Sequence, residues 1–182
     1  MAAIEELVIR PATSADVPAL NVLIDASVRG LQGNDYSPAV IEGALGHALG
    51  IDRQLIADGT YFIIEAGDGA VVGSGGWSYR TTLCGSDQLP GREPAKLDAA
   101  VDAAKIRAIY VHPNWARKGL GSRILAHCEK QAEEAGFRTF EMGSTLTGVP
   151  LYSLRGYREI ERIAIPLPNG EKLAVVRMVK SV

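Results

Sequence analysis

The first eighty residues alternate between short apolar runs that fit strands and longer stretches with helical periodicity. ELVIRP is a strand-like run, and Thr13 or Ser14 then caps a helix whose apolar positions are Val17, Leu20, Leu23 and Ile24. A second helix is predicted after Pro38, with an apolar pattern that continues to Ile56. TYFIIEAGDGAVVGSGGWSY contains two strand-like runs joined by Asp68-Gly69, so it predicts a β-hairpin.

The second half of the chain begins with a strand that is apolar on both faces. In AKIRAIYVH, alternation places Ile106, Ala108 and Tyr110 on one face and Ile109 and Val111 on the other. Such a strand is expected at the centre of a sheet that is covered on both sides.

A helix and three more strands are predicted after that strand. The helix ends at Gly136, and its buried stripe has helical spacing: Ile124, Leu125, Cys128, Ala132 and Ala135. FRTFEMGS, YREIERIAI and LAVVRMVKS predict strands, TLTGVPLYSLRG a loop with a short helix, and residues 168–170 a turn. The predicted order is β-α-α-β-β-β-α-β-α-β-β, which is a mixed α/β fold.

Length and composition favour one domain. The chain has 182 residues, of which 47% are apolar, and this is enough for one core in a domain spanning residues 1–182. Residues 80–104 depart from the regular pattern. Their glycines, prolines and mixed charges predict a loop insertion between the third and fourth strands.

Charge and cysteine content argue against several classes of protein. A formal net charge of -2 gives no indication of nucleic-acid binding or of a polybasic membrane surface. No apolar run approaches the roughly 20 residues that span a bilayer, and the N-terminus lacks the cations of a secretory signal, so a cytoplasmic protein is expected. Cys84 and Cys128 have no metal-binding spacing; we expect two reduced thiols, with Cys128 in the core, and no metal site.

The stretch VHPNWARKGLGSRIL, residues 111–125, joins the predicted central strand to the next helix and combines cations with glycines. Arg117 and Lys118 add positive charge, while Gly119 and Gly121 let an anion approach the N–H groups of the first helical turn. The pattern indicates a phosphate site, most simply for a pyrophosphate, although a tight strand-to-helix connection fits the local residues equally well. The spacings of a P-loop and of a dinucleotide fingerprint are both absent.

The motifs together resemble the GNAT (general N-acetyltransferase) superfamily over nearly the whole chain. IRPAT at residues 9–13 is similar to the family's first strand and helix start, and TYFIIEAGDGAVVGSGGW to its second and third strands. YVHPNWARKGLGSRIL is similar to its acetyl-CoA motif, and LTGVPLYSLRGY to its Y-x-x-x-G-[FY] segment, here Tyr152, Gly156 and Tyr157. The resemblance implies a GNAT-type acyl-CoA N-acyltransferase fold, with a mixed, mostly antiparallel central sheet flanked by helices.

The resemblance implies acetyl-CoA as the acyl donor and assigns residues to it. The pantetheine arm would pair with the backbone of Ile109, Tyr110 and Val111. The pyrophosphate would bind the segment Arg117, Lys118, Gly119, Leu120, Gly121 and Ser122. Two positions depart from the family pattern, because Ala116 replaces a glutamine or arginine and Thr145 replaces an asparagine that faces the cofactor in many members. We expect weaker binding at worst, since Thr145 can still donate one hydrogen bond.

The chemistry that the resemblance implies is acetyl transfer to a primary amine by direct attack. Tyr152 would be the general acid for the departing thiolate, since a phenol with a pKa of about 10 stays protonated at neutral pH. A backbone N–H near Tyr110 or Val111 would polarise the thioester carbonyl. In isolation Tyr152 would also fit a packed aromatic residue, and none of Glu65, Asp35 and Tyr36 is assigned as the general base.

The resemblance leaves the acceptor open. A small-molecule amine is expected first and a protein N-terminus or lysine second, with a pocket near residues 33–36. Trp77, Tyr79 and Arg80 fit either that pocket or a structural role, and structural roles are expected for His47, His112 and His127. Exposed acids would attract a cationic amine only weakly, since their charges are screened: Asp35, Asp87, Glu93 and Asp98. A non-catalytic acyl-CoA sensor and a phosphate-binding interaction module are the alternatives, and a homodimer is the default assembly.

Overall fold

The structure is a computed structural model that describes residues 6–83 and 95–182. These residues form the strands β1 (Val8–Pro11), β2 (Tyr61–Glu65), β3 (Val71–Ser78), β4 (Ala104–Val111), β5 (Thr139–Thr145), β6 (Arg158–Pro166) and β7 (Lys172–Ser181). Their α-helices are α1 (Val17–Leu31), α2 (Pro38–Ala44), α3 (Arg53–Ala57), α4 (Leu120–Glu134) and α5 (Val149–Leu154). Over the same residues, no helix combines the length and the apolar character that crossing a membrane requires.

The strands form a single sheet in the order β1-β2-β3-β4-β5-β7-β6. Neighbouring strands are antiparallel except β4 and β5, which run parallel. The pairing of β4 with β5 is limited to two residue pairs, Ala104 with Phe140 and Lys105 with Glu141. Because the two strands then separate, the middle of the sheet opens into a cleft.

Helices cover both faces of the sheet. Phe62 and Ile64 of β2 belong to the core that packs against α4, whereas Tyr61 and Ile63 belong to the core beneath α1 and α2. All four side chains are buried. The strand therefore shows no polar alternation, because it has no face toward water.

β4 contains a bulge at Ala108, which has a φ of 55°. β3 and β4 pair Gly76 with Arg107 and then Ser74 with Tyr110, so β4 has one extra residue in between. The Ser74 hydroxyl donates to the Ala108 carbonyl at 3.1 Å. This hydrogen bond from the neighbouring strand holds the bulge in place.

The bulge changes which residues of β4 share a face. Ile106 packs against α4 together with Ile109 and Val111, while Ala108 and Tyr110 lie on the α1 face. The prediction that Ile106 shares a face with Ala108 and Tyr110 was wrong. One inserted residue shifts the alternation of every residue after it.

The second predicted helix is in fact two helices. α2 ends at Ala44, and Gly46 follows with a φ of 77°. α3 is separate and is capped by the Asp52 side chain. The apolar pattern through Ile56 suggested one helix. Leu49 is buried, but it lies in an irregular segment between α2 and α3.

The cores of α1 and α4 follow the predicted stripes. Thr13 precedes a short 3-10 turn and donates its N–H to the Asp16 carboxylate at 2.8 Å, just before α1. In α4 the predicted stripe is buried as far as Ala132, whereas Ala135 lies beyond the helix and is exposed. Cys128 fills the core, and burial raises the pKa of its thiol; Cys84 lies outside the described residues.

The connection between β3 and β4, residues 79–103, is partly strand-like where the structure describes it. The Leu97 N–H donates to the Tyr79 carbonyl at 2.7 Å, and the Thr81 N–H donates to the Ala95 carbonyl at 3.0 Å. The two ends of the predicted insertion therefore pair with each other, while its middle, residues 84–94, lies outside the described residues.

Candidate active site

An open cleft, with an empty volume of about 690 Å³ out to its mouth, lies between β4 and β5. Its wall includes residues 106–110 of β4, residues 142–145 of β5 and the irregular residues 48–50. Polar and apolar atoms contribute about equally to its exposed wall. Among the described residues that line it, the ionisable side chains are Arg107, Tyr110 and Tyr152. The described wall thus contains no carboxylate and no histidine.

β4 presents one edge to this cleft. The His112 N–H donates to the Val72 carbonyl of β3 at 2.9 Å, so alternation directs the Tyr110 N–H to β3 as well. The N–H of Val111 therefore points away from β3, and it donates to the Ser27 hydroxyl oxygen at 3.3 Å. Of the two N–H groups that the sequence suggested for a carbonyl, that of Val111 is the one not directed to β3, and its acceptor in the structure is the Ser27 hydroxyl.

The turn from β4 into α4 leaves backbone N–H groups without acceptors. Arg117 and Gly119 have left-handed φ angles of 62° and 82°. No side chain caps α4, and the first hydrogen bond back to the turn runs from the Arg123 N–H to the Gly119 carbonyl at 3.0 Å. Within residues 6–83 and 95–182, the N–H groups from Gly119 to Ser122 have no acceptor. This turn, residues 117–122, is called the cradle below, because its free donors suit an anion.

The two glycines of the cradle are needed for different reasons. A side chain at Gly119 would meet open space, but its φ of 82° favours glycine. A Cβ at Gly121 would lie 3.0 Å from Cδ2 of Leu151, so Gly121 lets α5 approach α4 closely. The second glycine therefore allows α5, the helix that carries Tyr152, to pack against the cradle through Leu151.

Cations surround the cradle. The Lys118 ammonium lies 5.2 Å from the centre of the Trp115 ring. Arg155, at the end of α5, donates from Nε to the Ser122 hydroxyl at 3.1 Å. Ala116 supplies no side-chain donor, whereas Arg155 brings an additional positive charge to the same turn.

Tyr152 reaches the cleft from α5. Its side chain is buried, and no residue in the described part of the chain hydrogen-bonds to its hydroxyl. A Cβ at Gly148 would lie 2.6 Å from the ring, so Gly148 provides the space for it. Burial raises the pKa of Tyr152 above the ordinary value for a phenol. Its hydroxyl therefore stays protonated throughout the neutral range.

Thr145 lies in the same wall, at the end of β5. Its hydroxyl oxygen accepts the Gly148 N–H at 3.2 Å. The hydroxyl proton is then available to a ligand, which is the donor role that the resemblance implies for this position.

The residues considered as general bases lie outside the described wall of the cleft. Asp35 accepts a hydrogen bond from the Thr147 hydroxyl at 2.7 Å. The Tyr36 hydroxyl donates to a β7 carbonyl at 2.6 Å and accepts the N–H that follows β5 at 2.8 Å. Glu65 forms an ion pair with Arg10 at 2.8 Å. These contacts connect segments of the fold and bring none of the three groups to Tyr152.

The residues suggested for the acceptor side of β3 also have structural contacts. Trp77 is buried in the core against α4. Arg80 forms a buried ion pair with Asp58 at 2.7 Å, and Tyr79 hydrogen-bonds to the same carboxylate. None of the three predicted residues lines the cleft. Of the acids suggested for attracting a cation, Asp87 and Glu93 lie outside the described residues.

Two histidines have local roles. His112 accepts the Asn114 N–H on Nδ1 at 3.1 Å and so caps the 3-10 turn after β4. His127 packs edge-on against Phe62, with ring centres 4.4 Å apart. The described part of the chain contains no group of three His, Cys, Asp or Glu side chains placed to hold a metal ion.

Comparison with known proteins connects this site to one family. The sequence profile of the acetyltransferase (GNAT) family matches residues 33–157, more than half of the chain. The chain belongs to the GNAT acetyltransferase family. The GNAT match includes β4, the cradle and Tyr152, and it identifies the chain as an acyltransferase. Among curated proteins, no sequence matches the chain.

Solved GNAT structures confirm the predicted fold. A GCN5-related N-acetyltransferase from Rhodopseudomonas palustris has a TM-score of 0.70 at 23% identity, over 96% of this chain and 95% of its own. The PaiA N-acetyltransferase from Thermoplasma acidophilum, in complex with coenzyme A, has a TM-score of 0.64 at 15% identity, over 97% and 99%. A ribosomal-protein-alanine N-acetyltransferase from Brucella melitensis has a TM-score of 0.61 at 21% identity, over 96% and 99%. At these identities the likeness shows the fold alone.

Three residues of this GNAT site were missed by the sequence analysis. Gln32 and Arg107 line the cleft, and Arg155 contacts the cradle. Arg155 could have been suspected from the sequence, because it is the cation of the segment Tyr-Ser-Leu-Arg-Gly-Tyr. Nothing in the pattern marks Gln32, which follows an apolar helix, or Arg107, whose charge is paired with Asp52 at 2.9 Å.

Phenylalanine substitutions at the neighbouring Tyr152 and Tyr157 should differ in their effect on stability. The Tyr157 hydroxyl donates to the Glu129 carboxylate at 2.8 Å, so Tyr157→Phe should lower the free energy of unfolding by about 1–2 kcal/mol. Tyr152→Phe removes a hydroxyl without a described partner and should change it by less than about 0.5 kcal/mol. Urea unfolding measures both; an equal loss in the two variants would contradict the assignment.

Proposed function

We propose that the chain transfers an acetyl group from acetyl-CoA to a primary amine of a small molecule, with Tyr152 as the general acid. One observation carries the proposal. The free N–H groups of the cradle lie beside α5, whose Tyr152 lines the cleft along the open edge of β4. A site for an anion, a free strand edge and a proton donor in this order suit the pyrophosphate, the pantetheine amides and the thioester of acetyl-CoA.

Acetyl-CoA would bind through backbone groups more than through side chains. Its pyrophosphate would accept hydrogen bonds from the N–H groups of the cradle, with Arg117, Lys118 and Arg155 neutralising its charge. Its pantetheine amides would pair with residues 109–111, and Thr145 would donate from the opposite strand. The Thermoplasma neighbour, which holds coenzyme A on the same fold, supports this arrangement.

The reaction requires one proton to move from nitrogen to sulfur. The neutral amine attacks the thioester carbon, a C–N bond forms, and the carbonyl oxygen becomes an oxyanion. The Val111 N–H would stabilise this oxyanion in place of its present acceptor, the Ser27 hydroxyl oxygen. The C–S bond then breaks, and the departing sulfur takes the Tyr152 proton. The phenolate takes the proton that the nitrogen releases, so Tyr152 is regenerated and no separate base is needed.

A small acceptor is supported by the wall of the cleft. Residues 48–50 and the apolar side chains of Ile165, Leu173 and Val175 limit its far side. The ribosomal-protein-alanine acetyltransferase with the same fold keeps a protein N-terminus, or a lysine, as the second candidate acceptor. A non-catalytic sensor that binds acyl-CoA without turnover is the alternative to an enzyme. A cytoplasmic location and a homodimer stay predictions.

Release of free thiol from acetyl-CoA tests the function. The panel of acceptors is propylamine, ethanolamine, benzylamine, tyramine, spermidine and a peptide with an N-terminal alanine. Thiol release should depend on an amine, and Tyr152→Phe should lower kcat by about 100-fold, the usual contribution of a positioned general acid. Tyr157→Phe is the matched control, because it removes a neighbouring hydroxyl outside the cleft, and it should keep the wild-type kcat. Thermal stabilisation by coenzyme A without any thiol release would instead identify a sensor.

The pH dependence of kcat/KM should have a rising limb without a falling limb up to about pH 9.5. The rising limb reflects deprotonation of the acceptor amine. The falling limb would require Tyr152 to lose its proton, and burial raises the pKa of Tyr152 above its ordinary value. Initial rates of thiol release between pH 6 and pH 9.5 measure the profile, and a decline with a midpoint below about pH 9 would exclude Tyr152 as the acid.

Arg155→Ala should weaken acetyl-CoA binding without affecting the chemical step. We expect KM for acetyl-CoA to rise by about three- to tenfold, with kcat unchanged, because one partly screened cation is removed from the pyrophosphate. The effect should shrink as NaCl is added. Arg158→Ala, an exposed arginine on β6, is the control. Equal KM values for the two variants would remove Arg155 from the site.

A further inference from the structure

Gln32 has a buried side chain whose amide oxygen has no partner among the residues that the structure describes. It follows α1, is 6% exposed and lines the cleft. Its Oε1 atom is fully buried and accepts no hydrogen bond from any residue in the described part of the chain. Buried side-chain amides in folded proteins are nearly always hydrogen-bonded. An amide oxygen without a partner in the wall of a cleft therefore indicates a hydrogen-bond donor that comes from a ligand.

Other polar side chains near Gln32 have partners. The Ser27 hydroxyl accepts the Val111 N–H, the Tyr36 hydroxyl has two backbone partners, and Asp52 pairs with Arg107. Within residues 6–83 and 95–182, the other buried atoms without partners are Nε1 of Trp77 and Nε2 of His127, and neither residue lines the cleft. Gln32 alone among the three combines a missing partner with a place in the site.

The backbone that carries Gln32 is held firmly relative to the cleft. The N–H groups of Asp35 and Tyr36 both donate to the Gln32 carbonyl at 3.1 Å. The Tyr36 hydroxyl then connects this turn to Ala174 of β7 and to Leu146 after β5. The backbone from which the Gln32 side chain projects is thus fixed before any ligand arrives.

We propose that Gln32 binds the acceptor, with its amide oxygen accepting a hydrogen bond from the N–H of the attacking amine. This inference rests on the proposed function. A carboxylate at this place would raise the pKa of the amine and favour its unreactive ammonium form. A neutral amide orients the amine and leaves its lone pair available. The structure thus assigns to the cleft a primary amine of a small molecule, bound in its neutral form.

Two substitutions at Gln32 test the proposal with the amine of the panel that has the highest kcat/KM. Gln32→Met keeps the volume and removes the acceptor atom, so KM for the amine should rise by about tenfold while KM for acetyl-CoA stays unchanged. Gln32→Glu should move the rising limb of the kcat profile to higher pH by about one unit, because a carboxylate stabilises the ammonium form of the bound amine. Gln131→Met on α4, far from the cleft wall, is the matched control.

Thermal unfolding separates this role from a structural one. Gln32→Met removes an amide that has no partner in the described protein, so its Tm should equal or exceed that of the wild type. A lower Tm would show that the amide stabilises the fold and would overturn the proposal. An unchanged KM for the amine, or a rise in KM for acetyl-CoA instead, would also overturn it while thiol release in the wild type left the proposed function standing. If the wild type released no thiol with any amine, the proposed function would fail, and this inference would fail with it.

Discussion

The separation of β4 from β5 is the constraint on which the site depends. Two parallel strands that stayed paired would satisfy each other's backbone groups and leave no room for a ligand. Here the pairing stops after Lys105 and Glu141, and the bulge at Ala108 follows. A non-glycine residue with positive φ costs about 1–2 kcal/mol, which the Ser74 hydroxyl offsets in part by bonding the Ala108 carbonyl. The bulge also directs Tyr110 to one side of the sheet and Ile109 and Val111 to the other.

Close packing at one glycine links the anion site to the proton donor. Gly119 adopts a left-handed backbone conformation, whereas Gly121 leaves space for Leu151 of α5 because it has no side chain. A side chain at Gly121 would require the Leu151 side chain to give way. Gly148 has the same effect from the other side, because the Tyr152 ring occupies the place of its missing Cβ. Two positions without side chains therefore shape the surroundings of α5, one beside Leu151 and one beside the Tyr152 ring.

The sequence was sufficient for the features that depend on local pattern. The hairpin at Asp68-Gly69, the buried stripe of α4 and the positions of the strands along the chain all follow from periodicity and turn chemistry. The cradle was also predicted, since two cations followed by glycines at the start of a helix can be recognised in the sequence. Whether these residues bind acetyl-CoA stays a prediction.

Features that depend on distant contacts were not predictable. Nothing in the sequence indicates a positive φ at Ala108, because the bulge is fixed by the Ser74 hydroxyl on a neighbouring strand. The break after α2 was hidden because the irregular segment that follows it is as apolar as a helix would be. Gln32 differs from an ordinary polar helix end only by its burial and missing partner, and both are properties of the folded chain.

The lack of carboxylates in the described wall of the cleft constrains how protons move. A buried carboxylate would hold an incoming amine as its ammonium ion, and the ion would have to lose a proton before attack. With phenols and an amide instead, the amine can enter neutral, and the remaining proton transfer runs from nitrogen to sulfur within one site. Burial raises the pKa of Tyr110 to about 12, so this phenol stays protonated and does not compete with Tyr152 for the released proton. The pKa of the acceptor amine therefore determines how the rate depends on pH, because no described group in the cleft changes charge in the neutral range.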